Sequence, residues 1–377
     1  MEWSIRGLLN PVITRLLIYG VNPIDVEYVV SKVENINYLN IRSLENAWTS
    51  EWQKKAGHYT KIAEDALMEG SHLTASELFM QAAYCYYAVF LINQASIEDK
   101  KRFYERYAYS YNKSISSANS TQIKRVDIPL KNGKKLAGYL HLPSSECVKK
   151  KICTVIFSGL GSCKEEMHTL ARPLLDRGVF VFIPDMPGNG ESLFSRDITC
   201  NIQLLEETFN AIPAELDTID ELAGCRYGVY GLCMGGGYAF RAASINKRYT
   251  FCVTLFGLLI TKTEKNSVPQ WMKQGEWARF QMGNIPSEQF LQEMEQLEQG
   301  TLDCPYLFIH GKHDNWMTLD SAYEHFHSRA QGSIKEMVID TEPVFSTQQL
   351  VTHTMPVGEQ LHWIRHIAAD WIIAHGK

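Results

Sequence analysis

No stretch of about eighteen uninterrupted apolar residues runs anywhere in the chain, and the apolar opening "MEWSIRGLLNPVITRLLIYG" is broken by Arg6, Asn10, Pro11 and Arg15. Neither a membrane span nor a secretory leader is therefore expected. An excess of basic charge is also missing. With 37 Lys and Arg against 42 Asp and Glu the formal net charge is -5, and no dense Lys/Arg cluster interleaves with aromatics. Nucleic acid is a poor partner for such a surface. The nine cysteines contain no CxxC pair and no zinc-ligand spacing, and their number is odd. A chain of this size needs no disulfide framework, so a reducing, cytoplasmic setting is expected for a soluble protein. Internal repeats and low-complexity tracts are absent too.

What is present has two textures. Up to about residue 120 the pattern is helical. "NPIDVEYVVSKV" offers Asn22 as an N-cap and Pro23 at the first helical position, and "SLENAWTSEWQKKAGHYTKIAEDALMEG" stops at Gly70. Phe103, Tyr107 and Tyr111 recur at i, i+4 and i+8, the spacing of a core stripe. Beyond residue 120 strands alternate with helices. "TQIKRVDIPL" and "KKLAGYLHLP" flank Asn132-Gly133, a hairpin signal. Six further apolar runs follow: "CTVIFSG", "VFVFIPD", "RYGVYGL", "FCVTLFG", "YLFIHG" and "KEMVID". Short apolar strands separated by amphipathic helices predict an α/β class with a mostly parallel sheet covered on both faces. The predicted division is a helical region over 1–120, a catalytic domain over 121–377, and an irregular, mainly helical insertion over 261–299.

The chemistry is read from the ends of those strands, where parallel sheets bind ligands. "GLCMGGG" (231–237) places Cys233 between Gly231 and Gly235 where a strand becomes a helix. That spacing is a nucleophile on a tight turn, its side chain raised into a pocket, with a helix N-terminus favouring a thiolate. A Gly-rich turn whose cysteine only fills space is the competing reading. Asp314, in the loop after "YLFIHG", is the candidate acid, with Asp340 and Glu342 weaker. His353, in "LVTHTMPVGEQ" before the last helix, is the candidate base; His325, His327, His362, His366 and His375 fall on helices. An oxyanion hole would draw one backbone N–H from Met234 and another from Leu160 or Gly161 in "SGLGSCKEE". Ser162 and Glu165 have capping-box spacing, and "PDMPGNGES" is a turn that shapes the site. Trp271, Trp277 and Trp316 are candidates to line a substrate pocket.

These motifs, in the order Cys233, Asp314, His353, resemble the α/β-hydrolase superfamily over roughly residues 121 to 377. "GLGSCKEE" and the helical front are similar to a narrower group. It contains dihydroxypseudooxynicotine hydrolase, the fermentation-respiration switch protein and fungal hydrolases that shorten polyketide precursors. The resemblance implies that the front forms part of a lid over the active site. It implies hydrolysis of carbon-carbon bonds in aryl ketones or polyketide-like compounds, or of esters. Those relatives mostly carry serine where this chain has Cys233. A cysteine favours thioesters, lactones and activated carbonyls, and its thioester intermediate also suits transfer to an acceptor.

The resulting expectation is a hydrolase with a Cys-His-Asp triad and an acyl-enzyme, acting on a bulky apolar carbonyl compound. It would need no metal and no organic cofactor, and its partners would be a small-molecule substrate and at most a second copy of itself as a homodimer. An acyltransferase or cyclase on the same scaffold stays open. So does a non-catalytic binding or regulatory protein, and so does a partner-binding role for the helical front.

Overall fold

A computed structural model describes residues 5–34, 36, 41–92, 96–118, 122–145, 151–257, 280–314, 316–341 and 359–376. The chain divides into two compact units, Met1–Thr121 with Thr347–Leu350, and Gln122–Ser346 with Val351–Lys377.

The first unit is helical: α1 (Ile5–Ile18), α2 (Pro23–Val33), α3 (Ile41–Met68), α4 (His72–Ile92) and α5 (Ile97–Ser117). Its ends form as the caps dictate. Asn22 Oδ1 accepts from the Ile24 N–H at 2.9 Å, and Ser96 Oγ accepts from Asp99 N–H at 3.1 Å. After α3, Ser71 N–H reaches Ala66 O and Gly70 N–H reaches Leu67 O, a Schellman closure. α4 packs against both α3 and α5. Phe103, Tyr107 and Tyr111 are buried there, Tyr107 with its ring 5.3 Å from Tyr87 of α4, so the stripe is core. By length and composition alone α4 could cross a membrane, yet more than half of its apolar window is buried inside the protein. Asp25 pins α2 to α3: its buried carboxylate accepts from Lys55 Nζ and from the Tyr59 hydroxyl, each at 2.5 Å. Burying a carboxylate is costly unless it is paired in this way.

The second unit is an eight-stranded sheet of β1 (Ile123–Pro129), β2 (Lys135–His141), β3 (Ile152–Phe157), β4 (Phe180–Pro184), β5 (Arg226–Leu232), β6 (Tyr249–Leu255), β7 (Tyr306–Gly311) and β8 (Lys335–Asp340). The order is β1-β2-β4-β3-β5-β6-β7-β8. β1 and β2 form the antiparallel hairpin that Asn132-Gly133 predicts, β2 runs antiparallel to β4, and the remaining pairs are parallel. β3, β4 and β5 through β7 are almost wholly buried, as strands covered on both faces must be. The helices are α6 (His168–Leu175), α7 (Gly190–Phe194), α8 (Ile202–Leu216), α9 (Met234–Ile245), α10 (Ser287–Met294), α11 (Leu319–Arg329) and α12 (Glu359–His375). α8, α9 and α11 bring Phe209, Phe240 and Phe326 against Phe157, Tyr306 and Phe308 on one face. α6 and α12 contact each other and the sheet on the other.

The strand order fixes where chemistry can sit. From β3 the chain steps outward to β4, then returns to add β5 on β3's other side. The two following loops therefore diverge and leave a crevice beyond the carboxyl ends of β3 and β5. Phe157 pairs with Gly231, so those two ends lie level.

Candidate active site

Cys233 stands in that crevice, between the last residue of β5 and the first of α9. Its backbone has φ 57° and ψ -125°, a region L-residues avoid. Neighbouring glycines make the turn possible. A Cβ at Gly231 would lie 1.8 Å from Gly235 O, and one at Gly235 would lie 2.0 Å from Phe157 O. Both contacts are with backbone, which no side-chain rotation can relieve. α9 thus presses its first turn against β3 and β5, and its N-terminus points at Cys233. The space-filling alternative does not account for this strain, because a filler has no need of a positive φ. Cys233 is half-buried, and its amide is tied to Leu255 O at 3.2 Å.

The loop that carries two of the oxyanion candidates runs beside the sulfur. A Cβ at Gly159 would meet Cys233 Cβ at 3.1 Å and Sγ at 3.5 Å, so the loop after β3 runs along the cysteine. The N–H groups of Leu160, Gly161 and Met234 have no backbone acceptor among the described residues. Backbone N–H groups left open in this way are what an oxyanion hole requires.

Sequence spacing misplaces one feature of this loop. The capping box is formed by Cys163 and Glu166, not by Ser162 and Glu165, and it opens a 3-10 turn over Lys164–Met167. Cys163 N–H donates to Glu166 Oε1 at 3.1 Å. One residue's shift frees Glu165 for a different task. The fully buried Lys164 ammonium donates to Glu165 at 2.7 Å, Asp185 at 2.9 Å and Glu191 at 3.2 Å. Asp185 also accepts from the Lys164 and Glu191 backbone N–H groups. Burial alone would raise the Glu191 carboxyl, but Lys164, Arg196 and Arg125 outweigh it and lower it to about 2. This cluster clamps the loop after β3 to the loop after β4, work that "PDMPGNGES" gave no sign of beyond its turn.

Asp314 sits in the loop beyond β7, two strands from β5, about 10 Å across the sheet at ordinary strand spacing. It is buried, and its Oδ1 accepts from Trp316 N–H at 2.8 Å and Met317 N–H at 3.1 Å. Those two bonds fix the carboxylate's direction. They also tie down the loop that carries Trp316, which is half-buried. Asp340 closes β8, and its carbonyl accepts from Lys312 N–H. His325 and His327 lie on α11, and His362, His366 and His375 on α12, as the pattern predicts. His353, Trp271, Trp277 and Glu342 lie outside the described residues. The structure therefore sets Met234 next to Cys233, runs the loop that leads into Leu160 and Gly161 along the cysteine, and sets Asp314 on the same end of the sheet.

Two residues have contacts here that the sequence reading missed. Asn189, buried in the loop after β4, donates to Gly159 O at 3.0 Å and Ser158 Oγ at 3.2 Å. Gln281, buried within the insertion, donates to Gly188 O at 2.6 Å and Asn189 Oδ1 at 3.2 Å. No spacing rule marks either residue; only the fold places them together. Among the described residues no group of His, Cys, Asp and Glu has the arrangement of a metal site.

Known proteins share this architecture. The crystal structure of 2,6-dihydroxy-pseudo-oxynicotine hydrolase superposes with a TM-score of 0.75 over 96% of this chain and 95% of that one, at 19% identity. The fold is accordingly the α/β-hydrolase fold with a helical N-terminal region. In sequence, 2,6-dihydropseudooxynicotine hydrolase of Paenarthrobacter nicotinovorans is 26% identical over 281 residues, 72% of this chain and 72% of that protein. The α/β hydrolase psoB of Aspergillus fumigatus is 27% identical over 230 residues, 56% of this chain and 50% of its own length. The Esterase FrsA-like family matches residues 21–274, well over half the sequence. The chain belongs to the FrsA-like esterase family.

Proposed function

We propose that the protein is a hydrolase that cleaves a bulky, apolar carbonyl compound through an acyl-thioester on Cys233. The observation that carries this reading is the strained backbone of Cys233 at the N-terminus of α9, with the oxyanion loop packed along its sulfur. In the first step His353 takes the Cys233 proton, the thiolate attacks the carbonyl carbon, and the carbonyl electron pair moves onto oxygen. The Met234 N–H and one from Leu160 or Gly161 hold that oxyanion. Its collapse restores the carbonyl and expels the leaving group, which takes a proton from His353. Water, deprotonated by His353, then attacks the thioester, releases a carboxylic acid and returns the thiol. Asp314 orients the imidazole. No metal or organic cofactor enters these steps.

The substrate class follows from the relatives and from the nucleophile. The named relatives include a hydrolase of a pseudooxynicotine and fungal hydrolases, which supports carbon-carbon or ester cleavage in aryl ketone or polyketide-like compounds. A thiolate adds thioesters and lactones. Enclosed sites for such compounds are mainly apolar, a role that fits Trp316 and, in the insertion, Trp271 and Trp277. The cytoplasm, with its reduced thiols, is the setting for this chemistry.

Cysteine also favours a second reading, transfer of the acyl group to an alcohol, amine or carbon acceptor, because a thioester retains high transfer potential. Turnover of an aryl ketone and a thioester in oxygen-18 water separates the two. Hydrolysis predicts label in the released carboxylate and no product with Cys233→Ala. An unlabelled product whose acyl group has moved to a second molecule, or closed a ring, overturns hydrolysis in favour of transfer.

A further inference from the structure

The side-chain amide of Asn189 is oriented by its own neighbours. Nδ2 faces two acceptors, Gly159 O at 3.0 Å and Ser158 Oγ at 3.2 Å, while Oδ1 faces the donor Gln281 Nε2 at 3.2 Å. Gly159 O accepts a second bond, from Ser162 N–H at 3.2 Å, which closes a four-residue turn. Gly161 at its third position has φ 77°, and Leu160 at its second is not among the residues of positive φ. That combination defines a type II turn.

Peptide planarity turns these bonds into a statement about the oxyanion hole. In a trans peptide the Leu160 N–H points opposite to the Gly159 carbonyl. Two donors on that carbonyl therefore set the direction of the Leu160 N–H, on a segment that runs along Cys233 Sγ. The Gly161 N–H belongs to the next peptide, and neither it nor the Leu160 carbonyl has a hydrogen-bond partner among the described residues.

We propose that Asn189 is a positioning residue for the oxyanion hole: by holding the Gly159 carbonyl it makes the Leu160 N–H, and not that of Gly161, the second donor beside Met234. The inference rests on the reading of Cys233 as nucleophile. It reaches further by linking the hole to the loop after β4 and, through Gln281, to the insertion.

The test separates oxyanion stabilisation from the competence of the thiol. Alkylation of Cys233 by iodoacetamide forms no oxyanion, whereas acylation by p-nitrophenyl hexanoate does. Leu160→Pro deletes one N–H at the second position of a type II turn, where proline is favoured. Its acylation rate is expected to fall about 100- to 1,000-fold. Asn189→Ala misaligns the same donor and is expected to lose up to about 100-fold. Both variants are expected to react with iodoacetamide at Cys233 within about twofold of the parent. Both are also expected to lose the parent's preference for the ester over its thiono analogue, whose sulfur is a weak hydrogen-bond acceptor.

Parent-like acylation in Leu160→Pro would give the hole to Gly161 and overturn the proposal. Equal slowing of acylation and alkylation in Asn189→Ala would reduce Asn189 to a structural part and overturn it as well. If Cys233→Ala still turns over the ester, with no adduct at Cys233 in the parent, the nucleophile reading falls and takes this inference with it.

Discussion

Replacing Cys233 by glycine should make the protein more stable than replacing it by alanine, although both changes remove the thiol. At φ 57° and ψ -125° any side chain strains the backbone, at a cost of about 1–3 kcal/mol. Alanine keeps that strain. Glycine removes it and gives back about 0.5–1 kcal/mol through the greater freedom of the unfolded chain. Glycine is also the better of the two at a helix N-cap, the position Cys233 occupies before α9. The balance favours glycine by about 1–2 kcal/mol. For a unit of this size each kcal/mol moves the melting temperature by about 2–4 °C. Cys233→Gly should therefore melt roughly 2–8 °C above Cys233→Ala in calorimetry at one scan rate. A glycine variant that melts at or below the alanine variant would show that the turn is unstrained. The structural reason for placing a nucleophile there would then be gone.

Other expectations follow from the same residues. Iodoacetamide at neutral pH should label Cys233 ahead of Cys225 and Cys304, because burial pushes those two half-buried thiols up to about 11 and keeps them protonated; peptide mapping of a time course reads the order, and slower labelling of Cys233 would contradict it. Cys233→Ala/His353→Ala should be little worse than either single change, since a triad acts as a unit, while Asp314→Asn should be milder than both; a His353→Ala enzyme with parent-like turnover would remove that histidine from the mechanism. Stability should also fall in mild acid. Burial, then the neighbouring His168, lowers His141 from 6.5 to about 3, so the unfolded chain takes up a proton that the folded chain refuses. That contribution is complete above about pH 6.5 and is lost as pH falls from there towards 3. His168, itself lowered by burial, acts in the same direction. His141→Phe should flatten the melting temperature across that window, and an unchanged acid slope would refute the assignment.

Much of this could be read from periodicity and punctuation. The five strands β3 to β7 and the elbow at Cys233 follow from short apolar runs, because a parallel sheet buried on both faces leaves each strand almost continuously apolar. Asn22 and Asn132-Gly133 did the work their positions promise. The capping box was missed by one residue because Ser162 to Glu165 and Cys163 to Glu166 share the same spacing, and a thiol is not the usual cap. Which glutamate caps and which enters the Lys164 cluster depends on the turn at Gly159–Ser162, a three-dimensional fact. Asn189 and Gln281 were invisible for a related reason. They are single amides in polar loops, and their partners come from segments far apart in the chain. The spacing that singles out Asp314 does not reveal that its carboxylate also caps two loop amides.

The central claim, that Cys233 carries the acyl group, is tested most directly by quenching the parent in acid during turnover of p-nitrophenyl hexanoate and mapping the adduct by mass. The account predicts a hexanoyl group on the peptide containing Cys233, formed as fast as p-nitrophenol is released and absent from Cys233→Ala. Turnover with no acyl group on that peptide, and an equally active Cys233→Ala, would contradict it.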